Sequence, residues 1–241
     1  MTGLLIIVIA FGAFLATMAG GLFAISLRDR LHLVLGFSAG AVIGVAFFDL
    51  IPEALETGAV WGSRNIMLLC ASGFFLYTLI DRVVVLHAHG DGRDCHHHSR
   101  GLLGAGSFSA HSALDGFAIG IAFQASRAVG IVVAIAVLVH DFSDGINTVN
   151  IVVRNGGNRR LALRWLLMDA IAPVIGATAS LFLSLPSQAI SVILAVFSGF
   201  FLYIGASDLL PESHHAHPKF LTTLATLCGA ATLLFTTQVA S

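Results

Sequence analysis

Residues Ala128–Val153 read AVGIVVAIAVLVHDFSDGINTVNIVV, bracketed by Arg127 and Arg154. A bilayer core needs roughly 20 apolar residues in a helix, and this stretch supplies them. From its midpoint onward it holds His140, Asp141 and Asp144. His140 lies thirteen residues past Arg127, about 20 Å along a helix rising 1.5 Å per residue, which places it near mid-membrane. Ionisable side chains at that depth are costly and are functional by default.

The rest of the chain resembles this stretch more than it resembles a soluble domain. Hydrophobic residues make up 57% of its 241 residues and charged residues 10%, against about 25% charged in a typical soluble domain. Mean hydropathy is +0.92. So few charges cannot cover a water-facing surface, so lipid is the solvent. A net charge of −1 argues against a nucleic-acid partner. Seven further spans are expected at Leu4–Leu27, Leu31–Leu55, Ile66–Leu86, Gly101–Gln124, Leu161–Leu185, Pro186–Leu210 and Phe220–Val239. Residues 1–241 then form one transmembrane domain, and residues 87–100 form a His-rich cytosolic loop. The fold class is an all-α integral membrane bundle of eight helices. The N-terminal run has no basic segment ahead of it and reads as a retained span, not a cleaved signal. Cys70 and Cys228 sit in apolar runs and Cys95 in a polar loop, which is no disulfide or CxxC zinc framework.

Basic residues orient the bundle. Arg28, Arg30, Arg82, Arg93, Arg100, Arg154, Arg159, Arg160, Arg164 and Lys219 fall on one side, and Arg64 and Arg127 on the other. This predicts a multi-pass protein of the cell (inner) membrane with both termini outside the cytosol.

Two motifs recur on antiparallel spans. Span two ends in Asp49-Leu50-Ile51-Pro52-Glu53 and span seven in Asp208-Leu209-Leu210-Pro211-Glu212. Span four holds His111-Ser112-Ala113-Leu114-Asp115-Gly116, and span five His140-Asp141-Phe142-Ser143-Asp144-Gly145. Inverted repeats of this kind are the sequence trace of a transporter with its substrate site near the midplane. Chance similarity between short membrane motifs is the plain alternative for either pair alone. A further repeat, SGFFLY at Ser72–Tyr77 and Ser198–Tyr203, falls on parallel spans, and the sequence offers no reason for it.

Side chains at i and i+4 share a helix face, so His111 projects with Asp115 and His140 with Asp144. Asp141 borders the same stripe. Span six adds Asp169, and Pro173 has no N–H for its carbonyl, which predicts a kink and a free oxygen there. Four aspartates with no mid-span Lys or Arg need compensation, and two divalent cations would supply it. Imidazole with carboxylate suits Zn2+, Fe2+, Mn2+, Co2+ or Ni2+; the absence of thiolate argues against Cu(I) and the second imidazole against Mg2+ or Ca2+. Singly, each residue has a bland reading: a packed histidine, a helix-capping Asp169, an Asp141 that orients His140, or a proton relay without metal.

At these residues the chain resembles the ZIP (Zrt/Irt-like) family of divalent metal transporters, prokaryotic type. The resemblance covers the whole chain. The family's usual span-four motif is His-Asn-x-Pro-Glu-Gly, here His111 to Gly116; its prokaryotic span-five motif is Gln/His-x-x-Pro-Glu-Gly, here His140 to Gly145. The Glu-Pro of span six is matched by Asp169 with the proline displaced to Pro173. The resemblance implies one metal on His111, Asp115, His140 and Asp144. It implies a second on Ser112, Asp115, Asp141, Asp144 and Asp169. It further implies a homodimer and an elevator-like movement of spans one, four, five and six. Here every expected core Glu is Asp, both motif prolines are absent, and Ser112 replaces an amide.

Peripheral residues suggest a route. Asp49 and Glu53 suit a metal arriving from outside; Asp81, Asp208, Glu212, His214, His215 and His217 suit one leaving inward. Asp81 reads equally as a plain helix-end carboxylate. His87, His89, Cys95, His96, His97 and His98 read equally as weak metal ligands or as a solvated loop. The resulting expectation is import of a divalent transition metal, zinc first, with Fe2+, Mn2+, Co2+ or Cd2+ as other cargo. A cation-diffusion exporter also uses intramembrane His-x-x-x-Asp pairs, but has six spans and a soluble C-terminal domain. A membrane di-metal hydrolase needs a base and an open water position, and no HExxH or nucleophilic serine motif is present, so no enzyme is expected.

Overall fold

The computed structural model describes residues 2–26, 31–89, 97–214 and 220–240. It is all-α, with no strand among the described residues. Ten helical segments build eight rods: α1 (Thr2–Ser26), α2 (Leu31–Val45) continued by α3 (Ile51–Thr57), α4 (Ser63–His89), α5 (His97–Ala125), α6 (Arg127–Arg154), α7 (Arg159–Ser180), α8 (Ser187–Tyr203) continued by α9 (Leu210–His214), and α10 (Phe220–Ala240). Seven of the rods are long and apolar enough to cross a membrane. α5 is long enough, but Ser107, Ser109, His111, Ser112 and Asp115 lower its hydropathy.

Glycine decides the packing. In four helix pairs, each partner presents a glycine whose Cβ would collide with the other's backbone, so the axes approach closely as small-residue crossings in membranes do. Gly20 on α1 meets Phe142 on α6, and Gly145 on α6 meets Thr17. Gly116 on α5 meets Pro173 on α7, and Gly176 meets Ala113. Gly40 on α2 meets Thr226 on α10, and Gly229 meets Phe37. Gly73 on α4 meets Val196 on α8, and Gly199 meets Cys70. Exchanging α1 with α7, α5 with α6, α2–α3 with α8–α9 and α4 with α10 maps these pairs onto one another. The SGFFLY repeat now has a reason: its two copies hold the glycines of the α4–α8 crossing, where a parallel pair meets through the same surface on both helices. Ser198 Oγ donates to Cys70 Sγ across it at 3.1 Å.

The rods group as α1, α5, α6 and α7 on one side and α2–α3, α4, α8–α9 and α10 on the other, with the main apolar core between them. Ser38 on α2 spans the two groups: its Oγ lies 2.8 Å from Ser143 Oγ and donates to the Val139 carbonyl at 3.1 Å, both on α6.

Each Asp-Leu-x-Pro-Glu motif sits on a π-turn, Ala46–Leu50 in one copy and Ile204–Leu209 in the other. Ile51 N–H donates to the Ala46 carbonyl and Leu210 N–H to that of Gly205, five residues back in each case. The following residue is Pro52 or Pro211, which has no N–H to continue the ordinary ladder; the wider turn shifts the register just ahead of it.

Pro173 lies inside α7, which is one helix from Arg159 to Ser180. Two expected boundaries are corrected here. Span six ends at Ser180, not Leu185. The apolar Leu181–Leu185 is a connection whose backbone is held by Gln124: its Nε2 donates to the Ser180 and Leu183 carbonyls, and its Oε1 accepts from Leu185 N–H. α4 also runs through His89 and α5 starts at His97, so part of the expected loop is helical backbone.

Candidate metal centre

α5 and α6 lie antiparallel, so their matching His-x-x-x-Asp pairs meet head to tail. His111 Nε2 is 3.1 Å from Asp115 Oδ2 on its own helix and 3.6 Å from Asp144 Oδ2 on the facing one. His140 Nε2 is 3.2 Å from Asp115 Oδ2 and 3.8 Å from Asp144 Oδ2. One ligand atom from each of the four lies within 4.8 Å of all the others, and all four residues are buried. Four tetrahedral ligands about 2.1 Å from a zinc ion stand about 3.4 Å apart, so the four atoms need only small adjustments to close on one ion.

The hydrogen-bond pattern suits a cation. His140 Nδ1 lies 3.0 Å from the Ala136 carbonyl. A carbonyl only accepts, so Nδ1 donates to it, which leaves Nε2 as the nitrogen that faces the cluster and would offer its lone pair to a bound ion. His111 Nε2 and Asp144 Oδ2 are buried and make no hydrogen bond, although each lies close to a cluster partner. Such orphaned groups are rare unless an ion completes them. Two carboxylates with two neutral imidazoles neutralise one divalent ion.

Aromatic rings from the other helix group cover the cluster. Tyr77 stands edge-on to His111 at 6.0 Å between ring centroids, and Phe201 edge-on to His140 at 5.9 Å. A cavity of about 540 Å3 leads away from His111 and Asp144. Asn147 and Asn150 line it on α6 and Asn155 just past the end of that helix, with Asp81, Asp208 and Glu212 on other elements. It runs toward the end of the bundle where α4 and α6 finish and α5 begins.

Residues 100–237 match the family model described as ZIP zinc transporter. The chain belongs to the ZIP family. Among its ZIP relatives is the zinc transporter ZupT of Corynebacterium efficiens, 29% identical over 225 residues that cover 83% of each chain. ZupT of Corynebacterium aurimucosum is 25% identical over 244 residues, covering 91% of each. The zinc transporter zipt-7.2 of Caenorhabditis elegans is 34% identical over 107 residues, 42% of this chain and 23% of that one.

In this ZIP chain the other candidate residues separate into groups. Asp141 is buried beside the cluster, its Oδ1 3.8 Å from His140 Nε2, and neither of its oxygens has a hydrogen-bond partner. Asp169 stands apart: its Oδ1 accepts from Ser112 Oγ at 2.8 Å and its Oδ2 from Thr148 Oγ1 at 2.7 Å. Asp49 is buried in its π-turn near the far end of α10, accepting from Thr237 Oγ1 at 2.6 Å, and Glu53 lies one turn on. Asp81 accepts from Tyr203 OH at 3.0 Å and lines the cavity with the exposed Asp208 and Glu212. His87 and His89 end α4, His97 and His98 begin α5, and His214 ends α9, but the side chains of these five lie outside what the structure describes. Cys95, His96, His215 and His217 lie outside the described residues.

Sequence reasoning passed over Thr148, Thr237 and Tyr77. Only Thr148 carried a usable signal: it is four residues past Asp144, on the His140–Asp144 stripe.

Proposed function

We propose that this chain carries Zn2+ across the cell membrane into the cytoplasm, binding it on His111, Asp115, His140 and Asp144. The buried four-residue cluster carries this reading, because His₂Asp₂ is a ligand set that four-coordinate zinc accepts. The bacterial relatives named zinc transporters support zinc as cargo ahead of Fe2+, Mn2+, Co2+ or Cd2+. Inward movement is supported by the cavity, which leads to the end of the bundle that the basic residues assign to the cytosol. Both termini then lie outside.

A second subsite would share Asp115 and Asp144 and be completed by Asp141, Ser112 and Asp169. Asp49 and Glu53 serve arrival; Asp81, Asp208, Glu212 and the histidines 214, 215 and 217 serve departure. The loop His96–His98 tunes apparent affinity or regulation and is dispensable for turnover. The division of the bundle into two four-helix groups supports an elevator-like movement of α1, α5, α6 and α7, in a homodimer held by the other group. The protein acts as a transporter, not as an enzyme.

The test is the initial rate of uptake of a panel of divalent ions into proteoliposomes. Zinc is expected to enter fastest, and entry of manganese or iron with exclusion of zinc would overturn the cargo assignment.

A further inference from the structure

Asp169 was expected to join a metal, yet each of its carboxylate oxygens already accepts a hydrogen bond from a neighbouring hydroxyl. One oxygen accepts from Ser112 on α5 at 2.8 Å and the other from Thr148 on α6 at 2.7 Å; all three residues are buried. The bonds reach from α7 to both helices of the cluster. Two ligands of one zinc ion, each about 2.0–2.2 Å from it, stand at most about 4.4 Å apart. The described residues form one set of three or more candidate ligands within 4.8 Å of one another, and Asp169 is not in it. The sequence builds this arrangement locally. Thr148 follows Asp144 by one helical turn, so its hydroxyl emerges beneath the ligands on their own face. Ser112 adjoins His111 on the facing helix. A threonine hydroxyl is a neutral donor; it holds the carboxylate without supplying the positive charge a metal would.

We infer that Thr148 is a positioning residue that keeps Asp169 away from the second subsite, so that the chain binds one zinc ion tightly at its four-residue cluster and a second only weakly. The inference rests on the ligand assignment proposed above. It makes Thr148 a determinant of how many ions the membrane site holds and of which ions compete for it. A Thr148→Val change keeps the shape of the side chain and removes the donor. Asp169 Oδ2 is then buried without a partner, which is unfavourable, and a cation beside Asp141 relieves it.

The experiment is calorimetric titration of zinc into purified, detergent-solubilised full-length protein, with metal content measured after dialysis. Wild type and Thr148→Ser, which keeps the hydroxyl, are expected to bind one tight ion per chain. Thr148→Val is expected to gain a second ion, with the second affinity rising about tenfold, the scale on which partners of metal ligands act. A merely structural role would lower thermal stability in Thr148→Val without adding an ion. Two tight ions in the wild type, or a Thr148→Val protein that is folded and binds as wild type or more weakly, would overturn the inference. Should Thr148→Val fail to fold, Thr148→Ala and the wild-type stoichiometry decide the same question. Absence of any zinc binding by the wild type would instead remove the four-residue site, and with it both readings.

Discussion

Asp115 Oδ2 lies 3.2 Å from His140 Nε2 on the facing helix, almost as close as it lies to His111 Nε2 on its own, at 3.1 Å. One carboxylate oxygen is thus shared between two imidazoles from two antiparallel helices. That relationship follows from the repeat: when His-x-x-x-Asp is written on both of two antiparallel helices, each histidine arrives opposite the other helix's aspartate. It also explains why neither helix has a site by itself.

Replacing Asp144 by Asn keeps the side chain's size and removes a charge from this cluster. Removing one partner from a set of buried charges costs about 3–5 kcal/mol, which for an ion bound in the set is a loss of roughly a hundredfold or more in affinity. Zinc uptake by Asp144→Asn at matched expression is expected to fall to the level of empty vesicles. Asp169→Ala is expected to retain partial uptake, because Asp169 bonds to Ser112 and Thr148 and is not in the four-residue ligand set. Total loss in Asp169→Ala would mean that the two groups of residues act as one site.

Gly116 of α5 lies against the Pro173 carbonyl of α7, with no space for a Cβ. Gly116→Ala therefore forces two helix backbones apart in a packed crossing, at a cost of about 1–3 kcal/mol. A lower thermal midpoint in detergent is the expected result, together with weaker zinc binding, since α5 carries His111 and Asp115. An unchanged midpoint would show that α5 and α7 part freely.

Ser38 and Ser143 join the two helix groups with their oxygens 2.8 Å apart. If the groups slide during transport, tying these positions together stops it. The Ser38→Cys, Ser143→Cys protein, with Cys70, Cys95 and Cys228 replaced, is expected to form a disulfide under oxidation and lose zinc uptake. Reduction should restore it. Undiminished uptake by the crosslinked protein would show that α2 and α6 stay in register throughout the cycle.

The basic-residue asymmetry predicts that Gly3 and Ser126 lie outside the cell. Single cysteines at these positions are expected to react in whole cells with a membrane-impermeant maleimide. Labelling only after the cells are opened would reverse the orientation and turn the proposed import into export.

The parts of this structure legible in the sequence are those written as period and spacing. The apolar run from Ala128 to Val153 gives a membrane helix, and the four-residue interval between His140 and Asp144 gives a shared face, whatever surrounds them. The pairing of Thr148 with Asp169 is a contact between helices, and nothing local to either residue encodes it. The π-turns needed Pro52 and Pro211 to be read as register shifts and not as helix ends. The end of α7 was misread because Leu181–Leu185 is as apolar as a helix; the chain leaves the helix there because Gln124, sixty residues earlier in sequence, caps its backbone. SGFFLY was visible as a repeat, but its purpose required seeing Gly73 and Gly199 in one crossing.

X-ray absorption at the zinc edge, on purified protein loaded with one equivalent of zinc, tests the central claim most directly. The expected spectrum has a first shell of two imidazole nitrogens and two carboxylate oxygens at about 2.0–2.2 Å, with no sulfur. A shell containing sulfur at about 2.3 Å, or one made only of oxygens, would place the ion away from His111 and His140 and contradict the account.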